Sequence, residues 1–322
     1  YLLLNVRQFI EAKKITDVDL ILTGSTPPTQ GVVGALVRKQ KKIPMVYILQ
    51  DMFPESLVTT GLTHSNSFVY KIGTKMEQYV YRNADKIIVI CEAFKKSLIY
   101  KGVSPDKIEV VYNWIDTNKI IPVSRDKNIL FKEFNLNIQD FYVTYAGNMG
   151  NAQDLETIIS VAKELKNYQD IKFVLFGSGK GKEYCEAIVK SENIINVIVL
   201  PLQSQDRISE VYSLGNISLV SCKKGMGKTA LPSKTWSIMA SETAIVTNFD
   251  IDSELTEIIK KSKSGIANDS GDVCSIKKSI LKLYYNRELC NEMGMNGRNF
   301  VINNLNTEIC TGEYIRVLNN LI

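Results

Sequence analysis

Two glycine-rich stretches have the residue types to hold a phosphate: ISLVSCKKGMGKTALPSK at residues 217–234 and FYVTYAGNMGNAQ at residues 141–153. GMGKT invites comparison with the nucleotide cradle G-x-x-x-x-G-K-[ST], in which both glycines let the loop wrap the phosphates. Counting back from Gly227-Lys228-Thr229, the first glycine should stand at 222, and Cys222 stands there instead. GSGKGK at residues 177–182 has no Ser or Thr after a Gly-Lys at the right offset. Pro232 suits a first helical turn, so the next helix is predicted to begin near Leu231-Pro232-Ser233 rather than at Lys228. The P-loop reading therefore ranks last. Pro232-Ser233-Lys234 is sharper: Ser233 can cap the helix through its hydroxyl, while a cation at Lys234 opposes the helix dipole. A bound anion and a plain solvated lysine both fit that pattern. Trp236, Ile238 and Met239 read as core. In the other stretch, Gly147 and Gly150 allow close backbone approach and Asn148 tolerates a strained turn.

Other constellations are poorer. His64 is the only histidine and sits in the polar run THSNS, which reads as a solvated loop. A zinc site needs clustered His and Cys, and the six cysteines are scattered with no C-x-x-C pair, as buried thiols of a reducing cytosol would be. Asp17–Asp19 and Asp250–Asp252 each match D-x-D, a pattern that can hold a divalent cation. The first enters a strand from the wrong edge; the second leaves one at the right edge and stays a minor reading. Arg38-Lys39-Gln40-Lys41-Lys42 closes a helix, where cations suit the dipole. A solvated face and, together with Lys71 and Lys75, contact with anionic headgroups both stay open.

The elements that must position these residues alternate. Short β-branched runs (DLILTGS, PMVYILQD, DKIIVIC, KIEVVYN) are separated by amphipathic stretches, and after a polar segment at 117–137 the alternation restarts with FYVTYAGN, IKFVLFGSG, NVIVLPL, NISLVSC and TAIVTNF. Continuous apolar strands between helices signal parallel sheets covered on both faces. The expected fold is α/β with two Rossmann-like domains and a helical tail from Ile276 to Ile322. The expected boundaries are 1–118, 119–303 and a final helix at 304–322 that packs back on the first domain. With 322 residues, 45% hydrophobic and 23% charged, the composition is globular. A net charge of +5 favours anionic ligands or an acidic membrane surface and is too weak to argue for nucleic acid. No apolar run approaches the ~20 residues that span a bilayer. Tyr1 opens a stretch that already reads as helix, so the expectation is a longer protein whose N-terminal part is missing.

In their order, these motifs carry a resemblance. Gly147-Asn148-Met149-Gly150 with Gln153, then Gly177-Ser178-Gly179, Pro232-Ser233-Lys234, Ser253-Glu254-Leu255 and Gly297-Arg298 resemble the second domain of GT-B glycosyltransferases, more narrowly family 4 retaining enzymes of bacterial capsule and O-antigen synthesis. In the first domain, Gln50-Asp51-Met52-Phe53-Pro54-Glu55-Ser56 resembles the family's D-x-x-P-E-S stretch, and Asn113-Trp114-Ile115-Asp116 its linker signature. The resemblance implies a UDP- or GDP-linked sugar donor on the second domain, a lipid-linked or oligosaccharide acceptor on the first, and no metal or other cofactor. It implies that the Gly147–Gly150 loop, with Asn148, and Lys234 contact the donor diphosphate, and that Gln153 and Ser233 also bind the donor. Ser237, Ser253 and Glu254 would reach the rest of the donor, Asp51 with Pro54 and Glu55 the acceptor. Asp51, Lys234 and Glu254 are the implied catalytic residues. It also implies a cytoplasmic enzyme, peripheral at the inner membrane face.

The chain departs from the family at several points. Thr229 and Ser237 stand where many members carry a Glu-x7-Glu pair whose second glutamate grips the ribose. Gln50 replaces a common histidine. Glu242-Thr243-Ala244 replaces the usual Gly-Thr/Lys-Pro and puts a carboxylate at the unfavourable end of a helix dipole, which calls for a partner. The family's glycine-rich first-domain loop would lie in the missing segment. The rival readings are a nucleotide-sugar epimerase of the same fold and a non-catalytic two-lobed binding protein.

Overall fold

The computed structural model describes residues 2–59, 61–227 and 231–322, and the chain divides into two units, residues 1–113 with 308–322 and residues 114–307. The first unit runs α1 (Leu2–Lys14), β1 (Ile21–Gly24), α2 (Gln30–Lys41), β2 (Met45–Leu49), α3 (Glu55–Thr59), α4 (Phe68–Asn83), β3 (Lys86–Val89), α5 (Glu92–Tyr100) and β4 (Ile108–Val110). Its four strands form a parallel sheet in sequential order β1-β2-β3-β4. The apolar runs that gave these strands away are fully buried: Met45, Val46, Ile87, Ile88 and Val89 have no exposed surface. Strands covered on both faces read as unbroken apolar runs for that reason.

The second unit contains α6 (Leu130–Glu133), β5 (Phe141–Asn148), α7 (Leu155–Glu164), β6 (Ile171–Ser178), α8 (Lys180–Ser191), β7 (Val197–Pro201), α9 (Ile208–Ser213) and β8 (Ile217–Ser221). It continues through α10 (Lys234–Ala240), β9 (Ala244–Asn248), α11 (Glu254–Ser262), β10 (Gly265–Ile266), α12 (Val273–Tyr285) and α13 (Arg287–Asn304). A last helix, α14 (Thr307–Asn319), returns to the first unit, where Arg316 reaches Glu109 at 3.3 Å. The expected helical tail is present as three helices.

The six parallel strands of the second unit stand in the order β10-β9-β8-β5-β6-β7. The chain starts in the middle at β5, builds outward through β6 and β7, then crosses to β8 and builds the other way. Neighbours β5 and β8 therefore send their following segments in opposite directions, and such a switch point opens a crevice at the strands' C-terminal ends. Register widens it: β5 pairs with β6 over eight residue pairs but with β8 over only Val143–Ile217 and Thr144–Ser218. Phe141, Tyr145, Phe173 and Phe176 anchor the core beneath, each fully buried. Side chains of that size contribute about 1.5–3 kcal/mol apiece by leaving water.

Helix α10 is buried from Thr235 to Ala240, with Trp236, Ile238 and Met239 in the core as the sequence predicts. Its fit against α13 depends on small residues. A Cβ at Gly294 would lie 2.0 Å from the Glu242 carbonyl oxygen, and one at Gly297 3.2 Å from Met239 Cγ. The partner that Glu242 calls for is Arg298, whose Nε lies 3.5 Å from its carboxylate and whose guanidinium also donates to the Ala240 carbonyl at the end of α10. Gly-x-x-Gly-Arg on α13 is thus a clamp on α10. Replacing Gly294 by Ala drives a methyl group into backbone, with an expected loss of about 1–3 kcal/mol in urea-unfolding free energy; an unchanged midpoint would contradict this packing.

Candidate functional site

Lys234 opens α10 and points its ammonium into the crevice between β5 and β8. The Nζ lies 3.9 Å from the centroid of the Tyr145 ring and 3.5 Å from the Ala146 carbonyl oxygen. A Cβ at Gly147 would make ordinary contact with that Nζ at 3.8 Å, so it is the φ of +134° that calls for glycine there. Burial strips water from the charged form and lowers the lysine from its ordinary 10.5 to about 7, with the neighbouring Cys222 opposing the shift. The same burial pushes the Cys222 thiol up to about 12. Among its described contacts Lys234 has a ring and a carbonyl as partners, and no carboxylate forms an ion pair with it. Sequence reasoning did not place Tyr145, read only as part of an apolar strand, or Cys222, read only as the residue that breaks the P-loop pattern, beside Lys234.

The β5–α7 loop is held rigidly. The Gly150 N–H donates to Gln153 Oε1 at 3.0 Å, closing the turn with a residue expected to face the ligand. Met149 is fully buried, with its N–H on the Ser178 carbonyl at 2.8 Å and its carbonyl on the Gly181 N–H at 2.8 Å. The GSGKG glycines are explained by this contact: a Cβ at Gly177 or Gly181 would lie 2.6 Å from Met149 Cγ or from its carbonyl oxygen. Asn148 is exposed beside them, with its carbonyl accepting the Tyr145 hydroxyl at 2.6 Å. At the end of the loop, Asp154 takes φ +44° and accepts from Asn248 Nδ2 at 2.9 Å. Asn248 also donates to Ser221 Oγ at 2.8 Å and accepts the Gly271 N–H at 2.8 Å. One buried amide therefore ties the ends of β8 and β9 to the loop after β5.

The other expected donor contacts fall at the same edge of this sheet. Ser233 is exposed, in helical geometry at φ −60°, and makes no capping hydrogen bond through its hydroxyl; the expected cap is absent because Ser233 already sits in the helical basin. Ser237 lies one turn along α10 from Lys234 and is buried. Ser253 caps α11, accepting the Thr256 N–H at 3.4 Å, and places half-buried Glu254 in the first turn, where a carboxylate suits the dipole. Asp250 is committed elsewhere than the D-x-D reading requires: its two oxygens accept the N–H groups of Gly225 at 2.8 Å and Gly227 at 2.7 Å. That carboxylate shapes the turn leading toward Lys234. Lys228 and Thr229, on which the P-loop and ribose readings turn, lie outside the described residues.

The expected acceptor residues belong to the first unit. Asp51 is exposed in the turn after β2, and the adjoining Gln50 accepts from Asn113 Nδ2 at 3.0 Å, so two of the quoted motifs meet there. Pro54 is buried against Gly73. Glu55 is taken up by Lys101 at 2.6 Å, which also holds Glu77 at 2.8 Å. Burial raises the Glu77 carboxyl against the pull of Lys101. His64 is exposed in its loop, as its polar neighbours predict.

Comparison with known proteins bears on both units. The pattern of the family described as "Glycosyl transferases group 1" matches residues 126–300, and that of "Glycosyltransferase Family 4" matches residues 1–119. The chain is 27% identical over 208 residues to WcaI of Escherichia coli, whose name assigns it to colanic acid biosynthesis as a glycosyl transferase. It is 23% identical over 256 residues to WbjE of Pseudomonas aeruginosa, named as a glycosyltransferase. These alignments take in 64% and 77% of this chain but only 51% and 61% of the relatives' lengths. Among solved structures, Anabaena HepE in complex with UDP superposes with a TM-score of 0.82 at 15% identity, over 99% of this chain and 82% of that one. HepE was also solved with UDP-glucose.

The Asp250 contacts make a direct prediction. Asp250→Ala leaves two N–H groups of the 225–227 turn without acceptors and should cost about 1–3 kcal/mol in unfolding free energy, with Asp250→Asn costing less because one acceptor oxygen remains. If the carboxylate were instead a cation ligand, manganese or magnesium would raise the wild-type unfolding temperature and Asp250→Asn would abolish the rise; no such rise is expected.

Proposed function

The chain belongs to the group 1 glycosyl transferases, and from that premise we propose that it moves a sugar from a UDP- or GDP-linked donor to a saccharide acceptor in surface polysaccharide synthesis. The observation that carries this reading is the Lys234 ammonium, desolvated and lacking a carboxylate partner among its described contacts, at the switch point beside Gly147. The donor's diphosphate supplies the missing counter-charge. As the bond between sugar and diphosphate breaks, negative charge grows on the leaving oxygens, and a cation already fixed there stabilises the transition state more than the ground state. In this scheme Lys234 does the work that a divalent ion would otherwise do, so transfer proceeds without metal.

The remaining assignments rest on the family resemblance. The rigid Gly147–Gly150 turn, with exposed Asn148, lets the diphosphate approach the backbone, and Ser233 and Ser237 flank Lys234 on its own helix. Glu254 reaches sugar hydroxyls from the α11 terminus and Asp51 serves the acceptor side. The stereochemical course is retention, the acceptor is lipid-linked, and the enzyme works in the cytoplasm at the inner membrane face. WcaI's assignment to colanic acid and HepE's UDP complexes support the polymer and donor classes.

Calorimetry tests the reading. UDP or GDP should bind without magnesium, and Lys234→Ala should weaken binding about 10- to 150-fold, as loss of a charged hydrogen-bond partner worth about 1.5–3 kcal/mol requires. Preference for ATP with magnesium, unchanged in Lys234→Ala, would overturn it. The pH dependence has a definite sign. Below pH 7 the free protein already carries the charge at Lys234, and affinity is insensitive to this group. Above a free value of about 7, binding must take up a proton, so affinity falls by up to about tenfold per pH unit. Proton uptake at pH 8, absent in Lys234→Ala, should be visible by repeating the titration in buffers of different ionisation enthalpy.

A further inference from the structure

We propose that Tyr145 is a positioning residue of the donor site: its ring seats the Lys234 ammonium and its hydroxyl fixes the loop that follows β5. One side chain then sets both halves of the diphosphate cradle. The inference rests on the donor reading above and adds a residue that the sequence motifs leave out. Tyr145 has no exposed surface and lies on β5 opposite Leu175 of β6. Alternate side chains along a strand share a face, so Tyr145 and Gly147 look the same way. Lys234 lies over both. Its Nζ is 3.9 Å from the Tyr145 ring centroid, and its side chain supplies the nearest atoms to a Cβ at Gly147.

The pull of an aromatic face on a cation is strongest where water is excluded, and Lys234 is desolvated. The other titratable group acting on the ammonium is the Cys222 thiol, which burial keeps protonated and on which the carboxylates of Asp154 and Asp250 also act. Burial raises the Tyr145 phenol as well, so its hydroxyl stays a donor. It donates to the Asn148 carbonyl at 2.6 Å. The far end of the same peptide is held too, by the Met149 N–H on the Ser178 carbonyl at 2.8 Å. The Asn148–Met149 peptide is therefore fixed at both ends before a ligand arrives, which is the preorganisation that a developing charge exploits. Phenylalanine would supply the ring without the hydroxyl, and serine the hydroxyl without the ring. Tyrosine supplies both.

The test separates ring from hydroxyl without emptying the core. Tyr145→Phe removes only the hydroxyl, and trifluoro- or pentafluorophenylalanine at the same position keeps the ring's shape while fluorine draws charge from its face. In an NMR titration of the Lys234 side chain in the free protein, Tyr145→Phe should match the wild type. The midpoint should then fall with each step of fluorination, by about one pH unit in the pentafluoro form. Calorimetry at pH 6, below the free value of about 7, isolates the hydroxyl. There Tyr145→Phe should bind UDP or GDP, whichever the wild type takes, about 2- to 10-fold more weakly. A residue that merely fills the core would change the unfolding temperature and leave the titration alone. A midpoint unmoved along the fluorine series therefore overturns the ring's part, and undiminished nucleotide binding by Tyr145→Phe overturns the hydroxyl's. Failure of the donor reading looks different: the wild type would bind neither nucleotide, while the free-protein titration would still decide whether the ring seats the ammonium.

Discussion

An ammonium held out of water at the end of two parting strands is the constraint around which the second unit is arranged. A charged lysine is costly in such a place, and burial lowers this one from 10.5 to about 7. The fold keeps it there by burying the helix that begins with it. Trp236, Ile238 and Met239 fix α10 in the core, Gly294 and Gly297 let α13 press against it, and Arg298 holds its last carbonyl. A strained polar group retained by a well-packed scaffold is the usual sign of a site where a ligand completes the interaction.

The rest of the sheet edge is held in place by its own hydrogen bonds. Asn248 ties the loop after β5 to the ends of β8 and β9 through Asp154 and Ser221, and Asp250 shapes the turn that leads toward α10. Preorganisation of this kind means that little need move when charge develops on a leaving group. Both Asp250 oxygens are engaged by the Gly225 and Gly227 N–H groups of that turn.

Much of this was legible in the sequence. Continuous apolar runs marked β1 to β9 because parallel strands bury both faces, and the core residues of α10 followed from their types. The two-residue β10, the five-residue α3 and the four-residue α6 were not legible, since segments that short carry no periodicity. Lys234 and Gly147 stood out through local chemistry. Tyr145 and Cys222 did not, because a residue on an apolar strand gives no sign that a lysine from another segment will lie against it. Glu242 pointed to a missing partner, but only the tertiary fold could name Arg298, 56 positions on.

The central claim is that Lys234 is an unsatisfied cation awaiting a diphosphate. The most direct test is an NMR titration of its side chain, assigned by comparison with Lys234→Ala, in free protein and with UDP or GDP. The account predicts a midpoint near 7 in the free protein, well below the ordinary 10.5, and a rise of at least one unit when the nucleotide is bound. A midpoint near 10.5 that no nucleoside diphosphate moves would contradict it.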